Sequence, residues 1–266
     1  MSNALPVPVD VKLMNVTATL LFIAFACLSL GALCMWVLRQ PVFAIGAVEV
    51  RGEVTHNNAV TLRANVAPRL RGTFFTVDLA ETRAAFETVP WVRRAVVRRS
   101  FPNRLDVALQ EHQAAAFWGA EGSSQLLNSF GEVFEANVDE VHRSDLPRLN
   151  GPDEQSGQIL GMYLTLAPLF DPLDSAIAEL ELTGRGSWRV QLDSGAVLEL
   201  GRGTPEEITA RIARFVKTLT TVAGQYGRGV EALEAADLRY PEGYALRMRG
   251  VTTVTTVVPA PRRPSR

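Results

Sequence analysis

The sequence predicts an α+β protein behind a single N-terminal transmembrane helix. Three observations carry that expectation. Leu13 to Leu38 is a run of 26 residues without a charge. Residues 42–112 read as strand and helix patterns in the order β-α-α-β-β. Residues 113–258 are rich in short strands, with two helical stretches among them.

The run from Leu13 to Leu38 would measure about 39 Å as a helix rising about 1.5 Å per residue, enough to cross a hydrocarbon core of about 30 Å with some tilt. Trp36 suits the interface, Lys12 and Arg39 bracket the run, and Pro41 ends the helical pattern. A cleaved signal peptide would carry a shorter apolar region, about 7–15 residues, before a small-residue cleavage site. This run ends instead in Met-Trp-Val-Leu-Arg-Gln-Pro. Residues 1–12 then form a short segment on one side and the bulk lies on the other. Lys and Arg nearly balance at the two ends, so local charge leaves the orientation open.

From Val42 to His112 the chain holds 10 Lys+Arg and 7 Asp+Glu, a net charge of +3. From Gln113 to Val258 the counts are 12 and 20, a net charge of −8. A basic membrane-proximal part and an acidic distal part predict two domains, 42–112 and 113–258. In the first, Ala47 to Gly52 alternates as a short strand, and Asn57 to Leu70 is helical in composition with Pro68 near its end. Asp78 and Glu81 form a capping pair before a second helix, Leu79 to Thr88, which Pro90 stops. Trp91 to Ser100 and Arg104 to Gln110 are strands around a Phe101-Pro102-Asn103 turn, with Leu105, Val107 and Leu109 on one face.

In the second part, short apolar stretches at Ala114 to Trp118, Gln125 to Asn128, Glu132 to Glu135 and Leu146 to Leu149 read as strands. Ser156 is expected to cap a helix running to Leu169, and Ile177 to Leu182 is a strand. Ser187 to Leu192 and Ala196 to Leu200 flank Asp193-Ser194-Gly195 as a hairpin. Thr204-Pro205-Glu206-Glu207 is the clearest helix start, with Thr at the cap and Glu three residues on. Ile208, Ile212, Phe215, Val216, Leu219 and Val222 then mark one buried stripe. Ala236 to Tyr240, a Pro241-Glu242-Gly243 turn, Tyr244 to Met248 and Val251 to Val258 close the domain. Residues 259–266 are expected to be a disordered tail.

The chain has 266 residues, and its 27 Lys+Arg and 28 Asp+Glu leave a net charge of −1, which argues against a dedicated nucleic-acid binder. At 47% hydrophobic and 21% charged residues it is not of the disordered class. Cys27 and Cys34, both in the apolar run, build neither a disulfide framework nor a four-cysteine zinc site. His56, His112 and His142 fall in separate segments with no second His at i+4. Gly184-Arg-Gly186, Gly201-Arg-Gly203 and Gly227-Arg-Gly229 do not continue into phosphate-binding loops, and no nucleophile elbow occurs. No catalytic residue, cofactor, metal or small-molecule substrate is expected, although a carboxylate pair assembled only by the fold stays open.

Two features are candidates for interaction. Arg93, Arg94, Arg98 and Arg99, with Arg104, lie in a stretch without an acid between Glu87 and Asp106. They read either as a solvated strand face or as a surface for anionic headgroups or an acidic partner. Tyr240 and Tyr244 flank a late turn, either as core aromatics or as part of a hairpin at a sheet edge that invites a partner strand.

Taken in order, the residues resemble the FtsQ/DivIB family of bacterial cell-division proteins. The resemblance rests on Val48-Glu-Val-Arg-Gly52, Pro90-Trp-Val92, Arg99-Ser-Phe-Pro-Asn-Arg-Leu105 and Glu111. It continues through Leu127-Asn-Ser-Phe-Gly-Glu-Val-Phe134, Leu146-Pro-Arg-Leu-Asn-Gly-Pro152, Ser187-Trp188, Leu200-Gly-Arg-Gly203 with Arg211 to Val216, and Asp237-Leu-Arg-Tyr240. It implies a POTRA domain and a mixed β domain, both on the periplasmic side of the cell inner membrane. It also implies a non-enzymatic scaffold of the divisome, concentrated at the septum, that helps recruit and regulate septal cell-wall synthesis. The implied partners are FtsB and FtsL, with FtsK, FtsW and FtsI as further members of the complex.

In the family, FtsB adds a strand to the last strands of the β domain. The matching positions here are Arg239, Tyr240, Pro241, Glu242, Gly243, Tyr244, Ala245 and Leu246. Pro241 stands where relatives often carry an acidic or amide residue; it lacks an N–H and cannot donate to an added strand. Two other classes stand beside this one. A POTRA-bearing adaptor or chaperone for polypeptide transport would be expected to repeat the small domain or end in a barrel. A membrane-anchored cell-wall hydrolase would need a carboxylate constellation.

Overall fold

A computed structural model of the chain describes residues 9–52, 54–141, 146–225, 227–240 and 242–251. The chain forms two compact units, Met1–Glu111 and His112–Arg266.

The first unit opens with α1, Val9–Leu38, longer than the predicted span because Asp10 and Lys12 join its first turn. It is long and apolar enough to cross a membrane, and none of its apolar window is buried in protein. A 3-10 turn, Pro41–Phe43, leads into β1, Ala47–Gly52. The Asn58 side chain then accepts from the Thr61 N–H at the start of α2, Ala59–Val66. This helix is shorter than the predicted Asn57 to Leu70. Pro68 has no N–H to extend the α-helical ladder, and the chain tightens into a 3-10 turn at Ala67–Arg69. Asp78 accepts from the N–H groups of Ala80 and Glu81 and starts α3, Leu79–Glu87. Two strands follow, β2 at Val92–Ser100 and β3 at Arg104–Glu111.

The sheet order is β1-β3-β2, with β1 parallel and β2 antiparallel to the central strand. β3 alternates strictly, so Leu105, Val107, Leu109 and Glu111 are all buried. Both helices lie on that one face. Leu62 and Val66 of α2 and Ala85 and Phe86 of α3 share a core with Ala95, Val107 and Leu109. This is the predicted β-α-α-β-β unit.

Among the described residues the second unit holds nine strands and two α-helices. The strands are β4 (Ala114–Trp118), β5 (Gln125–Asn128), β6 (Val133–Glu135), β7 (Arg148–Asn150), β8 (Ile177–Leu182), β9 (Trp188–Leu192), β10 (Val197–Gly201), β11 (Leu233–Asp237) and β12 (Ala245–Met248). The helices are α4 (Ser156–Leu166) and α5 (Pro205–Gln225). All nine strands join one sheet in the order β12-β11-β10-β9-β8-β7-β4-β5-β6. α4 connects the parallel pair β7 and β8, and α5 connects the parallel pair β10 and β11. Their apolar stripes bury Ile159 and Leu166, and Ile208, Ile212, Phe215 and Leu219, in one cluster with Leu180, Val190, Leu198 and Ala236 of the strands.

Thr204 and Glu207 close a capping box at the start of α5: Thr204 N–H donates to Glu207 at 3.1 Å, and Glu207 N–H to the Thr204 hydroxyl oxygen at 3.4 Å. Ser156 does not cap α4; its hydroxyl donates to the Gly131 carbonyl at 2.7 Å. β7 runs two residues later than the predicted Leu146 to Leu149 at its start. β11 runs earlier than the predicted Ala236 to Tyr240, because Leu233 and Ala236 are the buried pair and Arg239 N–H turns back to the Asp237 carboxylate at 3.1 Å. Val251 is not in a strand, and 252–258 and the tail 259–266 lie outside the described residues.

Candidate partner-binding edge

Among the described residues, the large sheet ends at β6 on one side and β12 on the other. β12 pairs antiparallel with β11, Ala236 opposite Leu246 and Asp237 opposite Ala245. Its other side has no strand of this chain among the described residues. An edge strand presents a row of backbone N–H and C=O groups that a partner strand can pair with.

The edge is braced from inside the unit. Leu246 and Tyr244 are half-buried against the helix-covered core, and Met248 is buried. The Tyr244 ring meets Phe215 of α5 edge-on, centroids 5.3 Å apart. Its hydroxyl lies 2.6 Å from the Thr218 hydroxyl oxygen. Tyr240, at the approach to the same strand, is 57% exposed. The two tyrosines that flank the turn therefore divide the two roles the sequence left open: Tyr244 belongs to the core and Tyr240 to the surface. Glu242 and Ala245 are exposed, Gly243 is half-buried, and Pro241 lies outside the described residues.

Arg239 is held against its own unit. Its Nε and Nη2 donate to the two carboxylate oxygens of Asp237 at 2.8 and 2.6 Å, a bidentate pair. Hydrogen bonding from Arg239 holds the Asp237 carboxyl below its ordinary value, and the carboxylate raises the guanidinium in turn. The Arg239 stem crosses Gly201, whose backbone has φ +79°; a Cβ there would sit 2.9 Å from the Arg239 Cγ. Glycine thus provides both the left-handed turn and the room for the arginine.

Arg239 and Asp237 end a charged row across the solvent-facing side of the sheet. The register sets Glu181 beside Arg189, Arg189 beside Glu199, and Glu199 beside Asp237. Arg189 donates to Glu199 at 2.8 Å and to Glu181 at 3.3 Å, and hydrogen bonding to Glu199 raises its pKa. Sequence reasoning missed this row. The signal available was the alternation of charge with buried residues in each strand, but placing the charges side by side needs the register.

The arginine run of the first unit does not form one face. Arg94 and Arg98 are exposed on the side of β2 away from the helices, and Arg93 is half-buried, 3.4 Å from Gln110. Arg99 turns to the helix side, where it donates to the carbonyls of Phe74 at 2.8 Å and Val77 at 2.6 Å. His56 stacks on Trp91 and His112 on Phe134, while His142 lies outside the described residues. Among the described residues no group of three or more His, Cys, Asp or Glu is placed to hold a metal ion.

Comparison with known proteins places both units. Residues 43–112 match the family model described as POTRA domain, FtsQ-type, so the β-α-α-β-β unit is a POTRA domain. Residues 116–239 match the model described as Cell division protein FtsQ/DivIB, C-terminal. Among similar proteins, Cell division protein FtsQ of Thiomonas arsenitoxydans is 37% identical, over 92% of this chain and 90% of its own length. That of Burkholderia pseudomallei is 37% identical over 92% and 96%. That of Bordetella pertussis is 39% identical over 90% and 92%. Domain order, the single apolar helix ahead of the POTRA domain and identity along nearly the whole length agree: the chain belongs to the FtsQ/DivIB family of cell-division proteins.

Proposed function

We propose that this chain is a non-enzymatic scaffold of the divisome, anchored by α1 in the inner membrane with residues 42–112 and 113–258 as its two periplasmic domains and 1–12 in the cytoplasm. FtsB and FtsL bind it through the β domain, and it helps recruit and regulate septal wall synthesis together with FtsK, FtsW and FtsI. The observation that carries this reading is the edge of β12 beside an exposed tyrosine. An FtsB segment extends the sheet there by main-chain hydrogen bonds, and side chains around Tyr240 supply selectivity. The fixed Arg239–Asp237 pair meets that segment with charges already oriented, so little side-chain entropy is lost on binding.

The test is photo-crosslinking in dividing cells with benzoylphenylalanine in place of Tyr240 in the full-length chain. FtsB is expected in the adduct, with less or none when the label replaces Phe130, an exposed residue beside β6, the opposite edge of the sheet. An FtsB adduct from Phe130 and none from Tyr240, in a chain that still reaches the septum, would overturn the assignment of the edge.

A further inference from the structure

Three loops of the first unit meet where the chain leaves α1. In register, Ala47 sits beside Arg104 and Arg104 beside Ser100, so the start of β1, the start of β3 and the end of β2 form one end of the sheet. Gly46 N–H donates to the Asn103 carbonyl at 2.9 Å, which joins the segment after α1 to the β2–β3 turn. The loop before α3 reaches the same end. Phe74 N–H donates to the Phe43 carbonyl at 2.8 Å, and Arg99 donates to the carbonyls of Phe74 and Val77. The Thr73 hydroxyl donates to the carbonyl of Leu38, the last residue of α1, at 2.7 Å.

Apolar side chains collect at this end without serving the core. Val42 is 78% exposed, Phe101 83% and Phe75 44%, and Phe75 meets the rings of Phe43 and Phe74 edge-on, at 5.2 and 5.1 Å. Arg39 and Arg71 are exposed in the same loops. The acids nearby are engaged: Glu49 accepts from Arg51 and Arg104, and Asp78 caps α3. Exposed rings and a valine next to cations match the chemistry of a bilayer interface, apolar below and anionic at the phosphates.

The depth agrees. The uncharged run of 26 residues is about 39 Å long as a helix, about 4–5 Å longer at each end than a hydrocarbon core of about 30 Å. Leu38 therefore falls in the headgroup layer, and a loop hydrogen-bonded to it falls there too. We propose that this end of the POTRA domain is seated in the membrane interface, with Val42, Phe75 and Phe101 entering the acyl boundary and Arg39 and Arg71 meeting anionic lipid phosphates. The domain is then held close to the bilayer and does not swing freely on a linker. The proposal does not depend on what binds the β domain.

The test uses the full-length chain in nanodiscs of phosphatidylethanolamine with a minority of phosphatidylglycerol. Cys27→Ala and Cys34→Ala leave a single label site for bimane, introduced as Phe101→Cys, Val42→Cys or, for reference, Val54→Cys. Val54 is exposed beyond the other end of β1. Lipids brominated high on the acyl chain should quench the labels at 101 and 42 several-fold more than the label at 54, and aqueous iodide should show the reverse order. Full quenching by iodide and none by bromolipid at both 42 and 101 would overturn the proposal. Shielding from both quenchers would also overturn it, marking burial against a second copy or another protein. All three positions are exposed, so circular dichroism of each labelled chain should match the parent.

Discussion

The hydroxyl of Tyr244 lies 2.6 Å from that of Thr218, tying the edge strand β12 to the long helix α5. Thr218 also donates to the Arg214 carbonyl at 2.8 Å, so it keeps a partner if the tyrosine is lost. Tyr244→Phe should therefore cost about 1 kcal/mol, the scale of one hydrogen bond. Tyr244→Ala also removes the contact with Phe215 and should cost about 3 kcal/mol. Urea unfolding of the full chain in detergent, followed by fluorescence, measures both. Equal and small losses would show that the ring does not brace the edge.

Glu111 should give the POTRA domain an acid limit. The side chain is 4% exposed and accepts from the N–H groups of Thr55, His56 and Asn57 at 2.9, 3.1 and 3.0 Å and from the Asn57 amide at 3.0 Å. Burial is the largest single influence and pushes its pKa up, but the hydrogen bonds together outweigh it and hold the group below its ordinary value. The folded pKa lies below the unfolded value of about 4.3. The stabilisation is thus complete above that value and lost as pH falls through the folded one. Glu111→Gln puts an NH₂ group where N–H donors point and should cost about 2 kcal/mol at neutral pH. It should also flatten the loss of stability below pH 4. Trp91, stacked on His56 at 3.9 Å, is the fluorescent probe inside this domain. An acid limb unchanged in Glu111→Gln would assign it to other groups.

Arg99 and Arg94 separate the structural from the solvated part of the arginine run. Arg99→Ala leaves the carbonyls of Phe74 and Val77 without their donor and should destabilise the domain by about 2 kcal/mol. Arg94→Glu changes an exposed charge and should stay within about 0.5 kcal/mol. Thermal unfolding of the two variants compares them directly. Equal effects would mean that the two faces of β2 are not distinguished as described.

What the residues made legible was local. The capping box of Thr204 and Glu207 spans three positions, the α5 stripe repeats within one helix, and the alternation of Leu105, Val107 and Leu109 needs only one strand. Pairings between distant strands were not legible. The Glu181–Arg189–Glu199–Asp237 row depends on three registers, two of them in pairs that carry a bulge and the third across the α5 crossover. Arg99 reads as one more surface charge in a basic run, because nothing in its neighbours tells that the carbonyls of a loop more than 20 positions earlier need a donor. The sequence pattern predicts β11 too late because Leu238, Arg239 and Tyr240 continue an apolar-polar rhythm past the point where Asp237 turns the chain. The late hairpin reads from its residues either as core or as a sheet edge, and the topology puts β12 at the edge. The split between a buried Tyr244 and an exposed Tyr240 came only with α5 in place.

That split makes the proposed binding edge separable from folding. Tyr240 is exposed, so Tyr240→Ala should leave stability within about 0.5 kcal/mol. If FtsB lies along β12, the tyrosine is covered on binding, and a large ring with a polar tip is a frequent anchor of interfaces. The same substitution should then weaken FtsB binding by about 2 kcal/mol or more, roughly 30-fold in Kd. Arg239→Ala offers a second reading of the same surface. It removes a pair of which Arg239 is the exposed member, worth about 0–1 kcal/mol to folding. It should slow FtsB association and weaken its dependence on salt, because an oriented surface charge acts mainly on encounter. Titration calorimetry and stopped-flow association, both on the full chain in detergent with the extramembrane part of FtsB, measure the two effects. A folded Tyr240→Ala chain with unchanged affinity would remove β12 from the interface, whatever else binds the β domain.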